Sequence, residues 1–297
     1  MAVSRRLPRL DVEATGIWLL LAAAVATAAA TIPAFRDPAN LANILRQSSV
    51  LGIIAIGQTF VVAAGMIDLS VGMVAGLVVV LACWMLGADP SLTLPVAAAM
   101  LALGTAIGLL NGVLVNRLKL HPLILTFGML SILQGLIFTF TDRSVGRASP
   151  LLQWLANGSL FGVPVAALLL LAVLAAFHLL FAHSRFGWHL VAAGGNPESA
   201  RRAGIDIARV RLAAFAISGF CAALGGLLLA GRLGTGYPLA GSGLELDAIV
   251  AVVLGGTALA GGRGSGARTV GGVLALTIVS NVLNLMEVSA FVQMFMK

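Results

Sequence analysis

Nine times along this chain the sequence turns apolar and stays so for 13 to 24 residues, at 14–34, 49–67, 71–88, 92–115, 123–140, 163–182, 212–231, 248–260 and 270–288. Eight of these runs hold no charged residue. A helix needs about 20 apolar residues to cross a hydrocarbon layer, and inside that layer it satisfies its own backbone donors and acceptors. The expectation is an all-α fold, a polytopic membrane helix bundle and a single domain over 1–297, with nine spans visible and a tenth to follow. The eighth run is short and glycine-rich, which suits a broken or re-entrant element as well as a full crossing. Sixty per cent hydrophobic and ten per cent charged residues leave too little polar surface for a soluble domain.

A net charge of +7 would suit nucleic acid if the cations formed a patch. They sit instead between the apolar runs, where membrane proteins use them to set orientation. Lipid is thus the expected surrounding and nucleic acid is not a partner. With the N-terminus cytoplasmic, the inner intervals hold Arg5, Arg6, Arg9, Arg117, Lys119, Arg185, Arg201, Arg202, Arg209, Arg211, Arg263 and Arg268. The outer ones hold Arg36, Arg46, Arg143, Arg147, Arg232 and Lys297. Twelve against six places the N-terminus and the interval 184–211 inside. After nine spans Lys297 falls outside, and the final FVQMFMK reads as the lead-in to a tenth helix. Arg5, Arg6 and Arg9 precede a run of full span length, so a retained helix is expected there and not a cleaved signal. Cys83 and Cys221 lie within apolar runs, as small buried hydrophobes do.

The interval 184–211, SRFGWHLVAAGGNPESARRAGIDIARVR, is the longest polar interruption. Within it, 196–204 carries the marks of a short helix with both ends specified. Asn196 is a good N-cap, and Pro197 suits the first turn, where its missing N–H costs nothing. Glu198 stands at the positive end of the helix dipole, Arg201 and Arg202 near the negative end. Gly204 can take the left-handed stop. About two turns do not hold alone in water, so flanking helices or a partner must support them. A short, capped, charged helix between two spans is a docking element.

Polar side chains inside the runs are few. Gln58, Asn111 and Gln134 stand alone, whereas Thr277, Asn281 and Asn284 fall at i, i+4 and i+7 on one helical face. Each amide needs an interhelical partner or water. Hydrogen-bonded glue explains any one of them, and a whole polar face also suits a pathway for a neutral, hydroxylated solute. Two acidic breakers, GMIDLSVG at 65–72 and LELDAIV at 244–250, stand at span boundaries. Asp68 or Ser70 is expected to cap the third span and Asp247 the eighth, with a pathway role as the second reading. Their likeness suggests an internal repeat. Gly104, Gly108 and Gly112 give two small-xxx-small steps for close helix approach. GGRGSG at 261–266 lacks the Lys-Ser/Thr ending of a phosphate loop and reads as a tight turn around Arg263. His121, His178, His183 and His189 show no metal spacing, and no nucleophile constellation is present, so neither a metal site nor catalysis is expected.

Four ordered stretches carry a family resemblance: GQTFVVAAGMIDLSVG (57–72), NGVLVNRLKLHPLILTFGML (111–130), GGNPESARRAGI (194–205) and GLELDAIVAVVLGGTALAGGRGS (243–265). They resemble the ribose-type permeases of bacterial ABC sugar importers, over nearly the whole chain from the second span. The resemblance implies an inner-membrane permease carrying a monosaccharide by alternating access. Its implied partners are a cytoplasmic ABC ATPase, a periplasmic sugar-binding protein and a second permease copy, identical or related. It implies no cofactor on this chain, with ATP and Mg held by the ATPase. It matches Gly194, Gly195, Asn196, Pro197, Glu198, Ser199, Ala200, Arg201, Arg202, Gly204 and Ile205 to the family's coupling loop. Gln58, Asp68, Ser70, Asn111, Asp247, Thr277, Asn281 and Asn284 are the candidate pathway residues. The family has a further apolar helix after the segment matching FVQMFMK. The competing readings are an ion-coupled secondary transporter, which would be expected to show intramembrane acids, and an intramembrane enzyme, which would need catalytic residues.

Overall fold

The computed structural model describes residues 12–289 and 292. Arg5, Arg6, Arg9 and Lys297, with the rest of the FVQMFMK segment apart from Val292, lie outside the described residues. Among the described residues the chain forms α1 (Val12–Thr31), α2 (Pro38–Ala63), α3 (Val71–Ala88), α4 (Thr93–Leu118), α5 (Pro122–Phe140) and α6 (Pro150–Asn157). A two-stranded hairpin, β1 (Ser159–Leu160) with β2 (Val163–Pro164), leads into α7 (Val165–Ala182). Then come α8 (Arg185–Gly195), α9 (Pro197–Arg202), α10 (Ile207–Leu233), α11 (Leu244–Leu254) and α12 (Gly266–Leu285).

Each of the nine apolar runs falls on one of these helices, and the chain is an all-α polytopic bundle. Among the described residues six helices, α2, α4, α5, α7, α10 and α12, are long and apolar enough to cross a membrane. Thr15–Thr31 of α1 and Val71–Gly87 of α3 are apolar but shorter. The eleven residues of α11 reach only about 16 Å at 1.5 Å per residue, roughly half a hydrocarbon thickness.

Several boundaries differ from expectation. α2 begins at Pro38, not at 49, because Asn40, Asn43, Arg46 and Gln47 break the apolar pattern without breaking the helix. α10 begins at Ile207, not at 212, because Asp206 caps it by accepting from the Arg209 N–H at 3.1 Å. α6 and α8 stand where no helix was expected.

The centre is built from α2, α3 and α10. Every residue of α2 from Ser48 to Ala63 is buried, the mark of a helix apolar all round. α4 lies along α10, α5 on α3 and α4, α7 and α12 on α2, α11 on α12, and α1 on α12. The glycine ridge of α4 faces α10, and a Cβ at Gly108 would collide with the Phe215 carbonyl oxygen. Small residues thus set this close approach.

Two helices stop at matching breaks. At the end of α2, the Gly65 N–H donates to the Val62 carbonyl (2.9 Å) and the Met66 N–H to that of Val61 (3.0 Å), with Gly65 at φ +74°. At the end of α11, the Gly256 N–H donates to Val253 (2.8 Å) and the Thr257 N–H to Val252 (3.2 Å). Both are Schellman stops. The loop that follows the second break packs on the first, where the Gly262 N–H donates to the Ala63 carbonyl at 2.9 Å.

Candidate functional site

The first polar centre is the break between α2 and α3. Asp68 is buried there, 1% exposed, and its carboxylate accepts three hydrogen bonds. Oδ1 takes the Ser70 N–H (3.0 Å) and the Ser70 hydroxyl (2.6 Å), and Oδ2 takes the Ser218 hydroxyl from α10 (3.0 Å). Asn111 of α4 donates through Nδ2 to Ser70 Oγ at 2.9 Å, leaving its Oδ1 buried without a partner. The Gln58 amide, oriented donor to acceptor, pairs with both the carbonyl and the N–H of Asp68 at 3.2 Å. Thr126 of α5 accepts from the Leu69 N–H at 3.1 Å. Four of the candidate pathway residues, Gln58, Asp68, Ser70 and Asn111, are therefore one network that fixes a loop between five helix segments. Ser70 stands at the N-cap of α3, yet its side chain bonds to Asp68 and caps nothing. Ser218 and Thr126 carried no sequence signal, because a lone hydroxyl in an apolar run has no periodicity.

The second centre lies between α2, α10, α11 and α12, where a cleft of about 170 Å³ is lined by Asp247, Thr277, Gln47, Arg232 and Ser280 with leucine and valine walls. Asp247 does not cap α11. Gly243 holds that position in a left-handed conformation, and the buried Glu245 accepts its N–H at 3.2 Å. The polar face of α12 divides. Thr277 lines the cleft, Asn284 is exposed, and Asn281 is buried in a reciprocal amide pair with Asn40 of α2 at 3.1 and 2.7 Å. That pair gives Asn281 an interhelical partner.

The third is the polar interval. α8 buries Gly187, Leu190, Ala193 and Gly194 on one face, the spacing of an amphipathic helix. Phe186 of α8 stacks on Phe60 of α2, with ring centroids 6.0 Å apart, beside Phe177 and Phe181 of α7. α9 follows directly. Asn196 accepts from the Ser199 N–H at 2.9 Å, and Pro197 occupies the first turn. At the far end the Gly204 N–H donates to the Arg201 carbonyl and the Ile205 N–H to that of Ala200, with Gly204 at φ +83°. Ala200 points inward, while Glu198, Arg201 and Arg202 are exposed and form intrahelical ion pairs at 3.7 and 3.2 Å. Gly194 abuts the α2 break so closely that a Cβ there would strike the Ala63 carbonyl oxygen. α8, which leads into α9, is thus seated directly on the α2 break.

His178 and His183 face each other at 4.9 Å between ring centroids, a pairing their sequence spacing did not suggest. Among the described residues no three His, Cys, Asp or Glu gather as a metal would require.

A family model described as branched-chain amino acid transport system / permease component matches residues 40–296. The chain is 39% identical to the ribose import permease protein RbsC of Escherichia coli, over 94% of this chain and 87% of that one. It is 34% identical to the RbsC of Haemophilus influenzae, over 89% and 83%. It is also 32% identical to the L-arabinose ABC transporter permease protein AraH of Azospirillum brasilense, over 95% and 83%. No solved structure matches the chain.

Proposed function

The chain belongs to the branched-chain amino acid transport system / permease component family, and we propose that it is the membrane subunit of an ATP-driven monosaccharide importer. It moves a ribose-like pentose or a hexose from periplasm to cytoplasm by alternating access. The observation that carries this reading is similarity to sugar permeases over nearly the whole chain. The helix α9, capped at both ends with its charges outward, supports it as the contact for a cytoplasmic ABC ATPase. The ATPase holds ATP and Mg, this chain holds no cofactor, and a periplasmic binding protein delivers the sugar. Two permease copies, identical or related, flank one pathway. The whole chain acts as one domain in the bacterial inner membrane, with its N-terminus and the interval 184–211 cytoplasmic. Its nine apolar helices form the spans, and α11 serves as the short, broken element. Gly194 to Ile205 couple to the ATPase. The Asp68 network and the Asp247–Thr277 cleft belong to the pathway.

A second reading has one observation in its favour: Asp68 is a buried acid at a helix break, a feature expected of an ion-coupled carrier. Uptake of radiolabelled ribose into proteoliposomes separates the two. The ABC reading expects uptake only when ATP, the ATPase and the loaded binding protein are all present. Uptake driven by a sodium or proton gradient without them would establish the carrier instead.

A further inference from the structure

Of the three polar centres, the cleft between α2, α10, α11 and α12 has the chemistry of a ligand site. It lies at the end of the bundle opposite α9. Arg232 stands in the last turn of α10, which starts next to α9 at Ile207, about 38 Å away along the helix. Gln47 comes from the first half of α2, Asp247 from the first turn of α11, and Thr277 and Ser280 from the second half of α12. One nitrogen of Arg232, Nη2, donates to Asn43 Oδ1 at 3.0 Å, whereas Nη1 is buried with no hydrogen-bond partner. A buried donor left unmade is costly, more so on a charged group, so the guanidinium gains by turning toward an acceptor that enters the cleft.

We propose that this cleft is the outward-facing sugar subsite, with Arg232 and Gln47 as specificity residues. The proposal rests on the monosaccharide reading above. A neutral sugar presents hydroxyls that donate and accept together. The wall offers a guanidinium and an amide N–H₂ as donors, a carboxylate and an amide oxygen as acceptors, and two hydroxyls that do either. Leu229 and Leu276 supply apolar surface for the C–H face of a ring. The wall holds one cation and one anion, so a neutral ligand brings no uncompensated charge into it. A zwitterionic amino acid would also meet that balance, and the sugar-permease relatives decide for the polyol.

The test uses the complete transporter, with its ATPase and binding protein, in proteoliposomes. Cys83 and Cys221 are buried, whereas Leu244 lines the cleft and is half-buried, so a thiol introduced by Leu244→Cys is the one open to an impermeant maleimide. Ribose delivered by the binding protein should slow its labelling about tenfold, and L-leucine should not. Arg232→Gln, which removes charged donors, should lower ribose uptake about tenfold or more at equal protein content. The labelling arm stands even where Arg232→Gln fails to fold. Ribose uptake by the wild type together with unprotected labelling, or with wild-type rates in Arg232→Gln, overturns the subsite and leaves the importer intact. Protection by leucine and not by ribose also overturns it, in favour of an amino-acid site. Failure of the wild type to take up ribose or arabinose sinks the sugar reading itself, and the subsite with it.

Discussion

Asp68 is 1% exposed and accepts from Ser70 twice and from Ser218 once. Three donors make a buried carboxylate tolerable, and each is a bond to a charged group. Ser218→Ala should therefore cost about 2 kcal/mol, read as a lower melting temperature in detergent, and an unchanged melting temperature would deny the bond any weight. The amides of α12 separate in the same way. Asn281→Leu strips Asn40 of its reciprocal partner and should cost roughly 1–3 kcal/mol. Asn284→Leu, at an exposed position where water can replace a lost partner, should cost less. Equal effects on stability would contradict the assignment of Asn281 as an interhelical clamp. Sequence spacing put Asn281 and Asn284 on one helical face, yet the first is buried and the second exposed. It could not show that α2 extends far enough back for Asn40 to meet Asn281.

At the scale of elements, α9 was legible because its signals are local: an N-cap, a first-turn proline, end charges and a glycine stop, all within nine residues. α8 was not, because its buried face of Gly187, Leu190, Ala193 and Gly194 holds only one large apolar residue. The seat of α8 on the bundle is also a tertiary matter. Gly194 packs on the Ala63 carbonyl, whereas a Cβ at Gly195 would lie 3.6 Å from Gly262 Cα, an ordinary contact. Gly194→Ala should thus force α8 off the α2 break and lower stability and transport together, while Gly195→Ala should be tolerated. Comparable thermal stability and uptake for the two variants would remove the junction from the account. Of the capping roles expected of Asp68 or Ser70 and of Asp247, the first stays with Asp68, which takes the N–H of the N-cap residue Ser70, and the second falls to Glu245, which takes the N–H of Gly243. Both acidic loops fold back on themselves, and the bonds that close them come from Asp68 and Glu245.

Across the whole molecule, the nine runs located the apolar helices, since hydrophobic length is a property of sequence alone. The meeting of α2, α4, α5 and α10 around Asp68 was not legible, since it depends on helix crossings that no single segment encodes. Opposite faces are marked by Phe161, almost fully exposed at the hairpin tip, and Glu198 on α9. In intact cells lacking an outer-membrane barrier, an impermeant maleimide should label Phe161→Cys, and should label Glu198→Cys only after permeabilisation. Labelling of both from outside would refute the orientation. In the function proposed above, an ATPase drives this bundle through α9. Asn196→Ala removes a cap worth about 1 kcal/mol, Gly204→Val resists the left-handed stop, and Arg201→Glu reverses an exposed charge. The most direct measurement is ATPase co-purification together with ATP hydrolysis stimulated by sugar-loaded binding protein, for the triple variant inserted at wild-type levels. Both should fall well below wild type, and wild-type values of both would show that α9 is not the transmission element.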